Sequence, residues 1–238
     1  LPSAEEPITI RQIEKGVFLL TEQTSGSKAN AVVFNSNGVS LMIDSFGSPS
    51  IAAAAMLLLR KNGIDLPGYL VYTHWHADHT CGSSALPPCT TIAREETTRM
   101  LRNFVSRDMQ QLKVRGTLEE AAFPRFPEIE LQGPARLSIG AYLCELIPAA
   151  GHTADSLIIR EKNSGILVTG DMTAGRDVKL FLPPVLPPDE GTVTTGHLTR
   201  ALEMMKSLAP TIIIPGHGNP EPGISLLEEN FKRIQNAE

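Results

Sequence analysis

The sequence predicts an α/β (α+β) fold in which two β-sheets pack face to face with helices on the outside. Three observations predict it. Short apolar strands fill the first third of the chain and run into a helix. The second half repeats that plan, strands first and helices after. No stretch reads as a linker, so residues 1–238 are expected to form a single domain, a length that one large core can serve.

The first strands are expected at Ile8–Ile13, Val17–Thr21, Asn30–Phe34 and Val39–Ile43. Turn formers separate them at Glu14–Gly16, Ser25–Ser27 and Asn35–Gly38. Ser50–Lys61 is rich in Ala and Leu, which favours a helix, and Gly63 stands where a C-terminal cap belongs. Tyr69–Tyr72 reads as a short buried strand leading into a histidine cluster. Ala93–Arg115 reads as one or two helices with Arg94, Arg99, Arg102 and Arg107 on polar faces. Strands are then expected at Glu128–Leu131, Ala135–Ile139, Tyr142–Ile147, Ser156–Arg160 and Gly165–Val168. A helix at Thr194–Leu208, a strand at Thr211–Ile214 and a helix near Ile224–Ile234 follow. Leu182–Pro188 (LPPVLPP) is stiff and irregular, and reads as a loop rather than a joint between domains.

Composition narrows the function classes. The net charge is -5 and no Lys/Arg block forms a phosphate-tracking stripe, which argues against a nucleic-acid partner. The longest apolar stretch, Ile51–Leu59, is half the length of a membrane span, so a soluble chain without a membrane partner is expected. Cys81, Cys89 and Cys144 show no paired spacing and build no disulfide framework, although one bridge stays open. The chain starts at Leu1 in a polar segment, consistent with a processed end or an arbitrary one. Compartment therefore stays open between cytoplasmic and periplasmic or secreted, and so does oligomeric state.

The informative fact is where the six histidines fall. His74, His76 and His79 lie together in THWHADH, His152 in AAGHTADS and His217 in IPGHGNP, each just after an apolar strand. Strand ends are rigid, and side chains from several of them can converge on one spot. On an extended strand end His74 and His76 point to the same side. Asp78 and His79 follow where the chain turns into a helix or loop, so they can face the same cavity from another direction. Histidine with carboxylate suits a borderline divalent cation such as zinc. The alternative is a set of polar surface residues after a strand.

THWHADHTCG resembles the metal-binding HxHxDH motif of the metallo-β-lactamase superfamily. Later segments resemble its other motifs in order: Gly151-His152-Thr153, Thr169-Gly170-Asp171 and Pro215-Gly216-His217-Gly218. Upstream, Leu41–Ser45 (LMIDS) resembles the strand ending in Asp that precedes the family's first helix. The resemblance implies the metallo-β-lactamase fold, a four-layer αββα sandwich of two mixed sheets flanked by helices. It also implies a site with two Zn²⁺, where iron or manganese are alternatives. His74, His76 and His152 match the ligands of the first metal. Asp78, His79 and His217 match those of the second, and Asp171 matches the bridging carboxylate. A water or hydroxide between the metals would be the nucleophile, with Asp78 as the catalytic residue that orients it or hands a proton to the leaving group. Asp44 either hydrogen-bonds a ligand histidine or a loop amide, or caps the helix.

Other residues carry less. His197 matches no ligand motif and reads as a surface or packing histidine. Cys81 reads as space-filling rather than nucleophilic. Arg176 and Lys179 follow Asp171 and are either substrate-carboxylate anchors or ordinary surface cations. The Leu182–Pro188 loop and the Phe104–Phe126 region are expected to shape the pocket.

Within the superfamily, the β-lactamases that use a cysteine as second-metal ligand have it where this chain has Asp171. Their substrate-binding lysine corresponds to Ala174. Asp171 together with His79 is more similar to glyoxalase II and lactonase members. Glyoxalase II carries a further basic helical region for glutathione, whereas a short tail follows His217 here, so a glutathione thioester is not the expected substrate. The expected activity is metal-dependent hydrolysis of a small ester, lactone, thioester or amide, a β-lactam included. A mononuclear iron persulfide dioxygenase-like oxidoreductase is the alternative, and a non-catalytic module on the same fold is the third reading.

Overall fold

The computed structural model describes residues 6–24, 28–114, 123–183 and 193–237, with the side chains of 106–114 excepted. The first sheet has seven strands in sequence order: β1 (Ile8–Glu14), β2 (Val17–Glu22), β3 (Asn30–Ser36), β4 (Val39–Ile43), β5 (Tyr69–Val71), β6 (Thr90–Arg94) and β7 (Ile129–Leu131). β1 to β4 form an antiparallel meander, and β4 to β7 pair in parallel. Parallel neighbours need crossovers, supplied by α1 (Pro49–Lys61) between β4 and β5 and by α3 (Glu95–Val114) between β6 and β7. Between β5 and β6 lie the short helix α2 (Ala77–Thr80) and a 3₁₀ turn at Cys81–Ala85.

The second sheet has six strands, ordered β13 (Glu221–Pro222), β12 (Ile212–His217), β11 (Ile166–Ala174), β10 (Leu157–Glu161), β9 (Tyr142–Pro148) and β8 (Ala135–Ile139). Only β11 and β12 run parallel, joined by α4 (Thr195–Ser207), while α5 (Ser225–Gln235) closes the chain.

Period-two alternation explains the layers. Leu19, Val32, Phe34, Leu41, Ile43 and Val71 face inward, against Leu146, Ile159, Val168 and Ile214 of the second sheet. Their neighbours Leu20, Val33, Met42 and Leu70 face outward and are covered by Ala52, Ala55, Met56 and Leu59 of α1 and by Met100, Leu101 and Phe104 of α3. On the other side Ile158, Leu167 and Ile213 meet Leu198, Leu202 and Met205 of α4 and Leu226 and Leu227 of α5. Two mixed sheets with flanking helices therefore enclose three apolar layers. Among the described residues no helix is long and apolar enough to cross a membrane.

The expected elements appear with three corrections. Ala93 and Arg94 belong to strand β6, not to the helix, because Thr90-Thr91-Ile92 is β-branched and fills the parallel slot beside β5. The strand expected to stop at Val168 continues to Ala174, through register shifts at Gly170, so Asp171 lies within it rather than beyond it. β12 likewise extends to His217, beyond the expected end at Ile214. Residues 184–188 of the Pro-rich loop and residues 115–122 of the Phe104–Phe126 region lie outside the described residues.

Candidate metal centre

The strand ends that face one rim of the sandwich carry the site. β4 ends at Ile43 and delivers Asp44, which is buried and takes φ of 60°, a left-handed conformation that Asp tolerates better than most residues. The Asp44 amide donates to the Val71 carbonyl, which ties it to the end of β5. β5 delivers Thr73, His74 and His76, and α2 turns Asp78 and His79 back toward them. The β9–β10 turn supplies His152, β11 supplies Asp171 and β12 supplies His217.

All seven side chains converge. One donor atom each from His74, His76, His152 and Asp171 lies within 4.8 Å of the others, and the same holds for Asp78, His79 and His217. His76 Nδ1 is 3.0 Å from His74 Nε2 and 3.1 Å from His152 Nε2. His217 Nε2 is 3.3 Å from His79 Nε2 and 3.2 Å from Asp78 Oδ2. Asp171 spans both groups. Its Oδ1 is 3.2 Å from His79 Nε2, and its Oδ2 is 3.3 Å from His217, 3.6 Å from His152 and 3.9 Å from His74.

Asp44 sets the tautomers. The Thr73 amide donates to its Oδ1 at 2.8 Å, and the Thr73 hydroxyl donates to its Oδ2 at 2.7 Å. The His79 Nδ1–H also donates to Oδ2, at 2.9 Å. Having given its proton to Asp44, the Thr73 oxygen accepts from the Nδ1–H of His74 at 3.0 Å. Both imidazoles are thereby left with Nε2 lone pairs aimed inward. Of the two roles open to Asp44, the one observed is hydrogen bonding to a site histidine and a loop amide; the N-cap position of α1 is held by Ser48.

Nitrogen lone pairs and carboxylate oxygens at these distances repel one another unless a positive charge sits among them, and Asp171 Oδ1 has no hydrogen-bond donor among the described residues. The donor set, imidazole nitrogen with carboxylate, fits a divalent cation. Without one, protons take its place. Burial opposes charge on His217, but Asp171 and Asp78 overcome it and push its pKa up to about 10. His79 is likewise raised well above its ordinary value, against its burial, by Asp171, Asp78 and Asp44. Asp171 is held well below the carboxylate range, despite burial, by His79 and His217. The three-histidine side behaves oppositely. Burial, reinforced by neighbouring histidines, lowers His74 and takes His76 down to about 3. His152 is lowered too, mainly by burial.

Close packing supports this geometry. A Cβ on Gly216 would stand 2.1 Å from Asp171 Oδ1, so only glycine lets β12 pass this close to the carboxylate. The buried Asn30 side chain donates to the Pro215 and Gly218 carbonyls, at 2.9 and 2.8 Å, clamping the turn that carries His217. Arg94 donates to the Ala154 carbonyl at 2.7 Å and braces the turn of His152. Thr73, Asn30 and Arg94 were not singled out from sequence as parts of the site. Their partners are distant in the chain, and only the neighbour relation Thr73–His74 was visible.

Five other residues lie apart from the centre's chemistry. His197 completes a capping box with Thr194 at the start of α4, at 2.9 Å. Cys81 is buried, and burial pushes its thiol up to about 12, which keeps it protonated. Arg176 is paired with Glu221 and Glu229, and Lys179 sits 5.6 Å above the Phe181 ring. Phe104, expected near the pocket, is instead core, packed on Trp75.

Comparison with known proteins places the fold and the family. The family model of the metallo-β-lactamase superfamily matches residues 25–217. A hydroxyacylglutathione hydrolase from Anaeromyxobacter dehalogenans (strain 2CP-C) is 31% identical over 123 residues, 52% of this chain and 39% of that protein. The chain thus aligns with well under half of that relative. Among solved structures, a metallo-β-lactamase from Pontibacter korlensis superposes with a TM-score of 0.74 at 16% identity, covering 96% of this chain and 99% of that one. A metallo-β-lactamase family protein from Thermus thermophilus gives 0.74 at 18% identity, covering 95% and 81%. The metallo-β-lactamase FIM-1 from Pseudomonas aeruginosa, in a mono-zinc form, gives 0.72 at 19% identity, covering 97% and 96%. At these identities the structural matches speak for the fold, and the family model speaks for descent: the chain belongs to the metallo-β-lactamase superfamily.

Proposed function

We propose that the chain is a metal-dependent hydrolase holding two divalent cations, preferentially zinc, and cleaving a small ester, lactone, thioester or amide, β-lactams included. One observation carries the reading: Asp171 lies 3.2–3.9 Å from nitrogens of both histidine groups, where a shared carboxylate belongs. On this reading His74, His76 and His152 hold the first ion. Asp78, His79 and His217 hold the second, and Asp171 joins the two. The neutral, desolvated three-histidine group and the anionic Asp78–Asp171 group divide the ligand charge unequally, so the second ion sits in the more negative half.

Bound there, the metal pair supplies Lewis acidity that lowers the pKa of a water and stabilises the charge developing on a carbonyl oxygen. The protein's own share is proton handling and positioning. The Asp78 side chain is 45% exposed at the rim, the most open of the three acidic groups, and is kept anionic by His79 and His217 against its own desolvation. It is placed to take the proton of the attacking water and return it to the leaving oxygen, sulfur or nitrogen as the acyl bond breaks. Asp44 holds His74 and His79 in one tautomer throughout. The hydroxyacylglutathione hydrolase relative makes thioesters a natural member of the test set. The domain is read as one unit spanning residues 1–238 and acting on a small-molecule substrate.

The test is a spectrophotometric panel of lactone, thioester, aryl ester and cephalosporin substrates, run before and after chelation and again after zinc is restored. Turnover that vanishes with chelation and returns with zinc supports the hydrolase. No turnover across the panel, with one iron per chain, points to the oxygen-using alternative.

A further inference from the structure

His76 is held differently from His74 and His79. His74 and His79 turn Nε2 inward and have Nδ1 tied to Thr73 and Asp44. His76 turns Nδ1 inward, at 3.0 and 3.1 Å from His74 and His152, and among the described residues nothing hydrogen-bonds its Nε2. The outer torsion of histidine is broad and close to two-fold, so a ring without a hydrogen-bond tether can turn over and offer carbon where nitrogen is needed. What restrains this ring is aromatic. Trp75, the one tryptophan in the chain, packs edge-on against it, centroids 4.6 Å apart and planes at 68°. Trp75 is only 6% exposed and is itself wedged by Phe104 of α3, at 5.7 Å and 55°. Its carbonyl and that of His76 both accept from the Thr80 hydroxyl, at 3.3 and 3.0 Å, which holds the backbone of the pair against α2.

We propose that Trp75 is a positioning residue, a wedge between Phe104 and His76 that keeps Nδ1 of His76 facing the centre. Helix α3, none of whose described side chains belongs to the centre itself, thereby contributes to it at one remove. This inference rests on the metal-centre reading above.

The test uses the full chain, with zinc alone as the probe. Affinity is measured by competition with a chromophoric chelator, and the ligating nitrogen of His76 is identified by histidine ¹⁵N NMR of the zinc-loaded protein. Trp75→Phe keeps an aromatic edge and is expected to bind zinc within about threefold of the parent, with Nδ1 ligation retained. Trp75→Leu keeps apolar volume but loses the ring, and is expected to weaken zinc binding at the three-histidine site about tenfold, with a mixed or exchanging His76 signal. Leu59→Ala, in the same apolar layer but on α1, controls for lost stability and is expected to lower Tm without changing affinity. The proposal is overturned if Trp75→Leu binds zinc as the parent does with one Nδ1 signal, or if Leu59→Ala loses as much affinity. A parent chain that takes up no zinc overturns the metal-centre reading itself, and this inference with it.

Discussion

At the scale of the residue, the site is a set of acceptors arranged so that a cation is the group that satisfies them. His76→Ala and Asp171→Ala are each expected to abolish turnover in a folded protein, checked by initial rates beside circular dichroism. Asp44 is a sharper probe because it touches no reacting atom. Asn tolerates the same left-handed backbone, so Asp44→Asn removes the charge and an acceptor without adding strain. Metal affinity is expected to fall roughly 10- to 100-fold in a chelator competition. The pKa directions give a sign for pH dependence. His79 and His217 are raised, so at neutral pH they carry protons that an entering ion must displace. His76, lowered to about 3, carries none. Falling pH therefore favours the protonated, metal-free form of the Asp78–His79–His217 group and leaves the three-histidine group almost untouched. Acidification from pH 7 to 5 is expected to remove the second ion first, read as metal retained per chain after dialysis at each pH. The five site histidines were legible in sequence because each lies in a short Gly- or Asp-containing segment just after an apolar strand, and Asp171 was legible through the resemblance of Thr169-Gly170-Asp171 to a family motif. The relay through Thr73 was not, since Thr is common in strands and its partner Asp44 is 29 residues away.

At the scale of the element, strands aim and turns clamp. β11 and β12 are the parallel pair that bring Asp171 and His217 together, and they approach closely because Gly216 has no side chain. Gly216→Ala is expected to displace the Asp171 carboxylate and cut activity at least about 100-fold, in line with misplacement of a reacting group by about 1 Å; steady-state kinetics at saturating zinc would measure it. Asn30→Ala leaves the Pro215 and Gly218 carbonyls without a donor and is expected to cost about 1–3 kcal/mol, read from urea unfolding. Element order was legible from apolar alternation and Gly-marked turns. The boundaries around β6 were not, because Thr90–Arg94 is short, is followed directly by a helix, and owes its strand conformation to parallel pairing with β5 and β7. The extension of β11 past Gly170 was hidden for a related reason. Its polar sequence, Thr-Gly-Asp, reads as a turn, and Gly170 does take a left-handed φ of 51°, but the strand continues past it in shifted register with β12.

At the scale of the whole molecule, two sheets present their rims to a common centre, which lies between chain segments from Asp44 to His217. Ions held there would cross-link both sheets. To the extent that they bind the folded state and not the unfolded chain, zinc at a thousandfold excess over Kd is expected to add about 4 kcal/mol, or roughly 10 °C in Tm, relative to the chelated protein. The face-to-face packing of the sheets was legible from the twice-repeated order of strands and helices. The outer walls of the pocket were less so, because the Phe104 placed there by the sequence reading is core, and its ring supports Trp75 instead. The most direct measurement is the metal content of the purified chain by elemental analysis, after dialysis against zinc-free buffer at neutral pH. Two zinc ions per chain, falling to one or fewer in Asp171→Ala, is the predicted result. One iron per chain, or no retained metal, would contradict a two-metal hydrolase.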